Sequence, residues 1–440
     1  MKRQLGNGLI LQDLSEDFAR DKDRLPEFYY YGFESDDNID ENWLVAWVRD
    51  LINTHPLMSP EDFLYVVDPA ADDRIVSGNL LIAQTWRYAG IEIPVGRPEI
   101  IATLPEYRRK GLVRETFKEI HARSEAVGHI LQVITGIPNY YRQFGYAMAV
   151  PFGTRGYLPV SQIPDLNEGE VQQFTLRTAT TNDIPLIMAV DAYNARSPLL
   201  SVVRDETMWH YDVSGTRTSS KELAFFVIEN ISYDVVGYVA MGPTFTPDVA
   251  SVRYVQLNEK ANYIEIYADL LREIKRIGQK PNENLDRIDF WVALHPTLTR
   301  MLSRHNGAFF RDDSRIYTYY MRVPDLPRFL MHISPVLEAR LVGSAAQGYS
   351  GTLVIDMYQK ECLLIEFVSG KLKGVGYGEK PRNAKATLNI HWDLFLHLLF
   401  GYQDFDEVAA YRADVYASLP MIALLDILFP KQYSSLLPIA

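Results

Sequence analysis

Four cationic side chains, Arg108, Arg109, Lys110 and Arg114, surround a single glycine, Gly111, within IIATLPEYRRKGLVRETF at 100–117. The apolar spacing predicts a strand over 100–104, a short loop, and a helix over 112–127, with Val113, Phe117 and Ile120 on one face and Gly128 placed to end it. Gly111 has no side chain, so a ligand can approach the backbone, and the following helix offers N–H groups without intrahelical partners. Positive charge around those groups suits a pyrophosphate more than a single carboxylate. Taken alone, an Arg-x-x-Gly spacing also describes a basic surface turn before an amphipathic helix. The flanking pattern decides between the two.

Other chemistries find less support. The nine histidines include no HxxxH or HExxH spacing, and the one cysteine, Cys362, has no partner for a disulfide, so no metal site and no oxidising compartment are predicted. Gly374, Gly376 and Gly378 follow a strand as in part of a dinucleotide loop, but no helix follows directly, which favours turn glycines. No GxSxG exists for a hydrolase elbow. With 44 Lys plus Arg against 56 Asp plus Glu, the net charge of -12 argues against a broad basic surface for nucleic acid.

Downstream of the basic loop, after one helix and a strand over 129–135, comes GIPNYYRQFGY at 136–146. A strand, a basic Gly loop, a helix, a second strand and a Tyr on a short turn together resemble the acyl-CoA-binding core of the GNAT superfamily of N-acetyltransferases. Arg108-x-x-Gly111-x-Val113 matches that family's Arg/Gln-x-x-Gly-x-Gly/Ala loop at the first two fixed positions and departs at the third. YRRKGLVR with YYRQFGY is similar to the Eis branch, whose members tolerate a large aliphatic residue there. The resemblance implies an N-terminal catalytic GNAT domain, a degenerate central GNAT domain and a C-terminal domain of sterol-carrier-protein-like fold.

It also implies roles. Ile101, Ala102 and Thr103 fall on the strand whose backbone pairs with the pantetheine arm of acetyl-CoA. Arg109, Lys110, Gly111, Leu112, Val113 and Arg114 fall on the pyrophosphate loop, and Gly136 and Ile137 complete the cofactor-binding set. Tyr141 falls on the general acid that protonates the departing CoA thiolate, which a tyrosine protonated at neutral pH can do. Tyr140 and Tyr146 are near enough to be rivals, and a half-buried packing tyrosine is the non-catalytic reading. In the Eis branch the chain's terminal carboxylate helps deprotonate the amine, a role that would fall to Ala440, although familiar members end in an aromatic residue. With a pKa of about 3.5, such a group would act mostly through a water or by holding an ammonium.

The acidic run Glu34, Asp36, Asp37, Asp40 and Glu41 lies where GNAT proteins commonly build the acceptor-site lip, and would draw aminoglycosides, polyamines or lysine side chains. A solvated loop is the plainer reading. Phe28, Tyr29, Tyr30, Tyr31 and Phe33 could wall the same pocket or pack on the core. The expected cosubstrate is acetyl-CoA and the expected acceptor an amine, with no metal, nucleic acid or membrane partner. The resemblance further implies a homo-oligomer, up to a hexamer. The alternative is a non-catalytic acyl-CoA-responsive or lipid-binding protein, in which Val354, Ile355, Leu363, Leu364, Ile365 and Phe367 would line a cavity rather than fill it.

The elements that must hold these residues fall into three blocks, as 440 residues suggest at about 150 per domain. The first, 1–158, alternates strand and helix signals, and a stretch over 158–173 with two prolines and three acidic residues makes a linker. The second, 174–323, repeats the plan at an offset of about 160 residues. No glycine stands between Gly242 and Gly278, so its strand-to-helix junction leaves no room for a phosphate, and one cofactor per chain is expected. The third, 324–440, reads as consecutive strands followed by helices. The expected class is α+β (mixed α/β): two tandem GNAT-type domains, the second degenerate, and a sterol-carrier-protein-like domain. The N-terminal apolar run spans four residues and no stretch approaches the ~20 needed to cross a bilayer, which points to a cytoplasmic protein.

Overall fold

Hydrophobic periodicity resolves into three sheets, each covered by amphipathic helices. A computed structural model of the chain describes residues 1–35, 38–39, 42–152, 156–214, 223–242, 248–280, 284–290, 295–310 and 318–437. Asp36, Asp37, Asp40 and Glu41 of the acidic run lie outside the described residues, as does Ala440.

The chain begins with β1 (Lys2–Gln4), β2 (Ile10–Asp13), α1 (Phe18–Asp21), α2 (Arg24–Gly32), α3 (Trp43–Asn53), β3 (Phe63–Asp68), β4 (Arg74–Tyr88), β5 (Ile91–Thr103), α4 (Leu112–Ala126), β6 (Leu131–Ile134) and β7 (Ala147–Pro151). It continues through β8 (Gly156–Pro159), β9 (Phe174–Thr178), α5 (Ile184–Asn194), β10 (Leu200–Val203), α6 (Glu206–Val213), β11 (Ala224–Asn230), β12 (Val235–Gly242), β13 (Val249–Leu257), α7 (Tyr263–Gln279), β14 (Arg287–Phe290), α8 (Pro296–Ser303), β15 (Phe309–Phe310) and β16 (Thr318–Arg322). The last part holds α9 (Leu326–His332), α10 (Ser334–Leu341), β17 (Gly351–Asp356), β18 (Cys362–Val368), β19 (Lys371–Gly378), β20 (Ala386–Asn389), α11 (Trp392–Leu399), α12 (Phe405–Ala409), β21 (Tyr416–Ala417) and α13 (Leu419–Leu428).

The first sheet has the order β1-β2-β3-β4-β5-β6-β16-β7, with β10 paired to β4. The second has the order β15-β8-β14-β13-β12-β11-β9. Their plans match. Each has an antiparallel hairpin with a register shift, at Val66/Val67 between β3 and β4 and at Ile228/Glu229 between β11 and β12. Each then adds a third antiparallel strand, a helix, and a parallel fourth strand, β6 in one and β14 in the other.

The two sheets also exchange strands. β16, from the end of the second block, lies between β6 and β7, whereas β8 pairs with β14 through Leu158 and Ile288. The expected linker over 158–173 therefore starts as a strand. Leu158 is fully buried in the second core, and the Tyr157 ring stacks on Phe309 at 5.3 Å, so an apolar alternation outweighs Pro159 at the strand's end.

The third sheet, β19-β18-β17-β20-β21, packs into the same core as Trp86 and Tyr319 of the first. Val354, Ile355, Leu363, Ile365 and Phe367 are at most 1% exposed, so these side chains are packed among their neighbours. The Tyr88 hydroxyl donates to the Leu399 carbonyl at 2.7 Å, and Arg142 forms an ion pair with Asp393, fastening α11 to the first sheet. Among the described residues no helix is long and apolar enough to cross a membrane.

Candidate active site

The site begins where two parallel strands part. β5 and β6 pair only at Val95–Leu131 and Gly96–Gln132, and beyond these positions β5 runs on to Thr103 without β6 beside it. Its open edge carries Ile101, Ala102 and Thr103. Just before them the β4 register jumps, with Leu80 opposite Glu99 and Gly78 opposite Ala102, so Asn79 faces two residues of β5. One of these, Ile100, has φ +50°, a conformation that a β-branched side chain disfavours. The bulge is held from both faces. Asn79 Nδ2 donates to Thr116 Oγ1 of α4 at 3.2 Å, and α2 packs so tightly that a β-carbon on Gly32 would stand 2.8 Å from the Ala102 Cβ.

The basic loop follows directly. Arg109 has φ +62° and Gly111 φ +79°, which turns the chain sharply into α4. Gly111 is the N-cap of that helix and supplies no side-chain acceptor, so the start of α4 has no side-chain cap. Arg108 is drawn aside, its Nε donating to the Thr103 carbonyl at 3.1 Å and its guanidinium 3.0 Å from Glu34. Lys110 lies 4.3 Å above the Tyr107 ring, while Arg109 and Arg114 are exposed. Among the acceptor-side residues, Phe28 and Tyr29 are buried in the core, whereas Tyr31 and Phe33 are at least half exposed. The two possibilities for this aromatic run are thus divided between its members.

Opposite the loop, the chain leaves β6 through Gly136 and Ile137 and turns at Tyr140–Phe144. Tyr141 is 5% exposed and clusters with Phe117, Ile134, Tyr146 and Tyr320, with Ile101 and Val113 against them. The structure thus packs Ile101 and Val113 against the cluster that holds Tyr141, with Gly136 in contact with its ring. Ile137 is 63% exposed at its rim. Burial raises the Tyr140 and Tyr146 hydroxyls above the ordinary phenol range. Tyr146 is further engaged with His121 Nε2 at 3.0 Å and Gln132 Oε1 at 3.4 Å. Burial, helped by the charge of Arg322, pushes His121 down to about 3, so its ring is neutral.

Sequence reasoning missed two features. Arg97 and Glu99 form a mostly buried ion pair on β5 just before the bulge; two opposite charges two residues apart in an otherwise apolar strand were the available signal. Tyr320 enters from the far end of the second block, and nothing local marked it. The final three residues lie outside the description, but the segment before them is ordered by named contacts. Ser435 bridges to Ser201 in parallel with β10, and Arg204 Nη1 donates to the Leu437 carbonyl at 2.7 Å.

The second sheet lacks this constellation at its equivalent helix. There Asn262 caps α7, its Oδ1 accepting from Ile264 N at 3.1 Å and Glu265 N at 3.0 Å. The anion-binding groups left open at α4 are occupied by the chain itself at α7.

The family model of the acetyltransferase (GNAT) domain matches residues 21–149. A probable N-acyltransferase from Enterococcus faecalis V583 is 14% identical, with 100% of both chains covered and a TM-score of 0.69. A GCN5-related N-acetyltransferase from Anabaena variabilis is 13% identical, covering 97% of this chain and 99% of that one, with a TM-score of 0.66. Eis1 from Mycobacterium abscessus is 14% identical over 97% and 99% of the two chains, with a TM-score of 0.59. No curated protein sequence matches. Over residues 21–149 the chain carries a GNAT acetyltransferase domain, which makes it an acyltransferase. Along its whole length its fold is the one shared with Eis1 and the other GCN5-related N-acetyltransferases.

Proposed function

We propose that the protein is an acetyl-CoA-dependent N-acetyltransferase that acts on a primary amine of the aminoglycoside, polyamine or lysine type. The observation that carries this reading is that Ile101 of the β5 edge and Val113 of the cationic start of α4 pack against the cluster that holds Tyr141. The amine nitrogen attacks the thioester carbonyl, the C–S bond breaks, and the thiolate takes the Tyr141 proton. The proton lost by the amine returns through solvent, so no covalent enzyme intermediate is needed. Holding amine and carbonyl together supplies most of the rate, and Tyr141 contributes about 10- to 100-fold.

Ile101, Ala102 and Thr103 would pair with the pantetheine arm, and Arg109 to Arg114 would hold the pyrophosphate. A Glu34 side chain at the loop, beside exposed Tyr31 and Phe33, suits a cationic acceptor. The division into domains at 1–158, 174–323 and 324–440 stands as a working scheme with two strands crossing it. The test is calorimetric titration with acetyl-CoA, followed by steady-state kinetics of Tyr141→Phe on a panel of amines. Full kcat in that variant would remove the general-acid assignment, and absence of acetyl-CoA binding would remove the transferase reading.

A further inference from the structure

We propose that Tyr320, on the strand that the second block inserts into the catalytic sheet, is a positioning residue for Tyr141. The second block then completes the active site, although the start of its own equivalent helix is capped by Asn262. This proposal rests on the reading of Tyr141 as the general acid.

The argument starts from topology. β6 and β7 are consecutive strands of the first block, yet β16 lies between them, with Tyr320 opposite Ile134 on one side and Met148 on the other. The turn that carries Tyr141 leaves β6 and returns as β7, so it must arch over β16. Its height is set by what β16 presents. Tyr320 is fully buried, its ring stands 5.4 Å from the Tyr141 ring at 72°, and its hydroxyl donates to the Ile137 carbonyl at 3.3 Å. The outgoing end of the turn is therefore tied to the second block.

The returning end is tied by the same strand. Arg322 Nη1 donates to Gln132 Oε1 at 2.6 Å, and that oxygen also accepts from the Tyr146 hydroxyl. Two residues apart on β16, Tyr320 and Arg322 thus hold both flanks of the catalytic turn. Space around Tyr141 is small enough for this to matter, because a β-carbon added at Gly136 would lie 2.9 Å from the phenol. A shift of about 1 Å in a reacting group can lower a rate by up to about 100-fold.

An ordinary core aromatic would account for the burial and the ring contact. It would not call for a hydroxyl aimed at a turn carbonyl, since phenylalanine fills the same volume. The experiment is a kinetic double-mutant cycle with Tyr320→Phe, Tyr141→Phe and the double variant, measuring kcat, calorimetric acetyl-CoA affinity and the thermal midpoint. Tyr320→Phe is expected to lower kcat about three- to tenfold in the wild-type background, with acetyl-CoA affinity and thermal midpoint nearly unchanged, and to have no further effect in Tyr141→Phe. Wild-type kcat in Tyr320→Phe, equal losses in both backgrounds, or a loss that follows acetyl-CoA affinity or thermal midpoint would each overturn the proposal. Tyr141→Phe by itself tests the acid: if that variant keeps full kcat, the acid reading fails, and a fall in Tyr320→Phe alone then shows that Tyr320 acts elsewhere.

Discussion

Gly136 and Tyr141 are in such close contact that a methyl group on the glycine would stand 2.9 Å from both the phenol oxygen and the ring. Gly136 also has φ +144°, so backbone and side-chain space both reject a substituent. Gly136→Ala should lower kcat by at least about tenfold by pushing the hydroxyl out of line. Acetyl-CoA affinity should fall as well, because Gly136 is among the residues expected to contact the cofactor. Activity and calorimetry on the same preparation check this, and a variant with normal kcat would show that the turn adapts.

Gly111 presents the opposite case. A β-carbon there meets nothing within 4 Å, so only its φ of +79° opposes a side chain. Gly111→Ala should cost about 1 kcal/mol in the loop conformation and weaken acetyl-CoA binding about fivefold. Gly111→Glu adds a carboxylate at the helix start and should abolish binding by charge repulsion. Titration of both variants separates shape from charge; equal affinities in the two would place the pyrophosphate elsewhere.

Because Asn262 caps α7 while α4 is left open, one acetyl-CoA per chain is expected. Asn262→Ala removes that cap without supplying the cationic loop, so the stoichiometry should stay at one while the thermal midpoint falls with the lost cap, worth about 1 kcal/mol. A second binding event in the wild-type protein would contradict the comparison of the two helices.

Acid should destabilise the fold through its buried histidines. Burial is the leading cause in both cases, pushing His121 to about 3 and His129 to about 4, below the ordinary value of 6.5. The unfolded chain therefore binds more protons between those values and 6.5, and stability is lost as pH falls through this window. Thermal midpoints should drop between about pH 7 and about pH 5. His121→Gln keeps an acceptor for Tyr146 and should lessen the drop; an unaltered drop would exclude His121 as a contributor.

The local parts of the site were legible in the sequence. The helix read over 112–127 is α4, Leu112–Ala126, because its apolar face and its flanking glycines lie within a short span. α3 is local in the same way, since Asn42 caps it through Leu44 N and Val45 N within a few residues. Long-range features were not legible. Tyr320 pairs with Ile134 across nearly half of the chain, and no residue near 320 records that its neighbours will come from the first block. The bulge at Ile100 was equally hidden, since isoleucine favours regular strands and is held at positive φ here by tertiary packing from α2 and α4. That the stretch over 158–173 opens on the end of a strand was hidden as well, since the partners of Tyr157 and Leu158, Phe309 and Ile288, lie far downstream.

The exchange of β8 and β16 bears on the birth of the enzyme. A ribosome releases β7 long before β16, and the catalytic sheet has a vacant slot until Thr318–Arg322 emerges. At ordinary translation speeds that interval is on the order of ten seconds. During it the edges of β6 and β7 are unpaired and open to wrong partners. A nascent chain stalled before β16 should therefore be inactive and a ready client for chaperones, and the acetyltransferase half should not mature as an independent product of a shortened message.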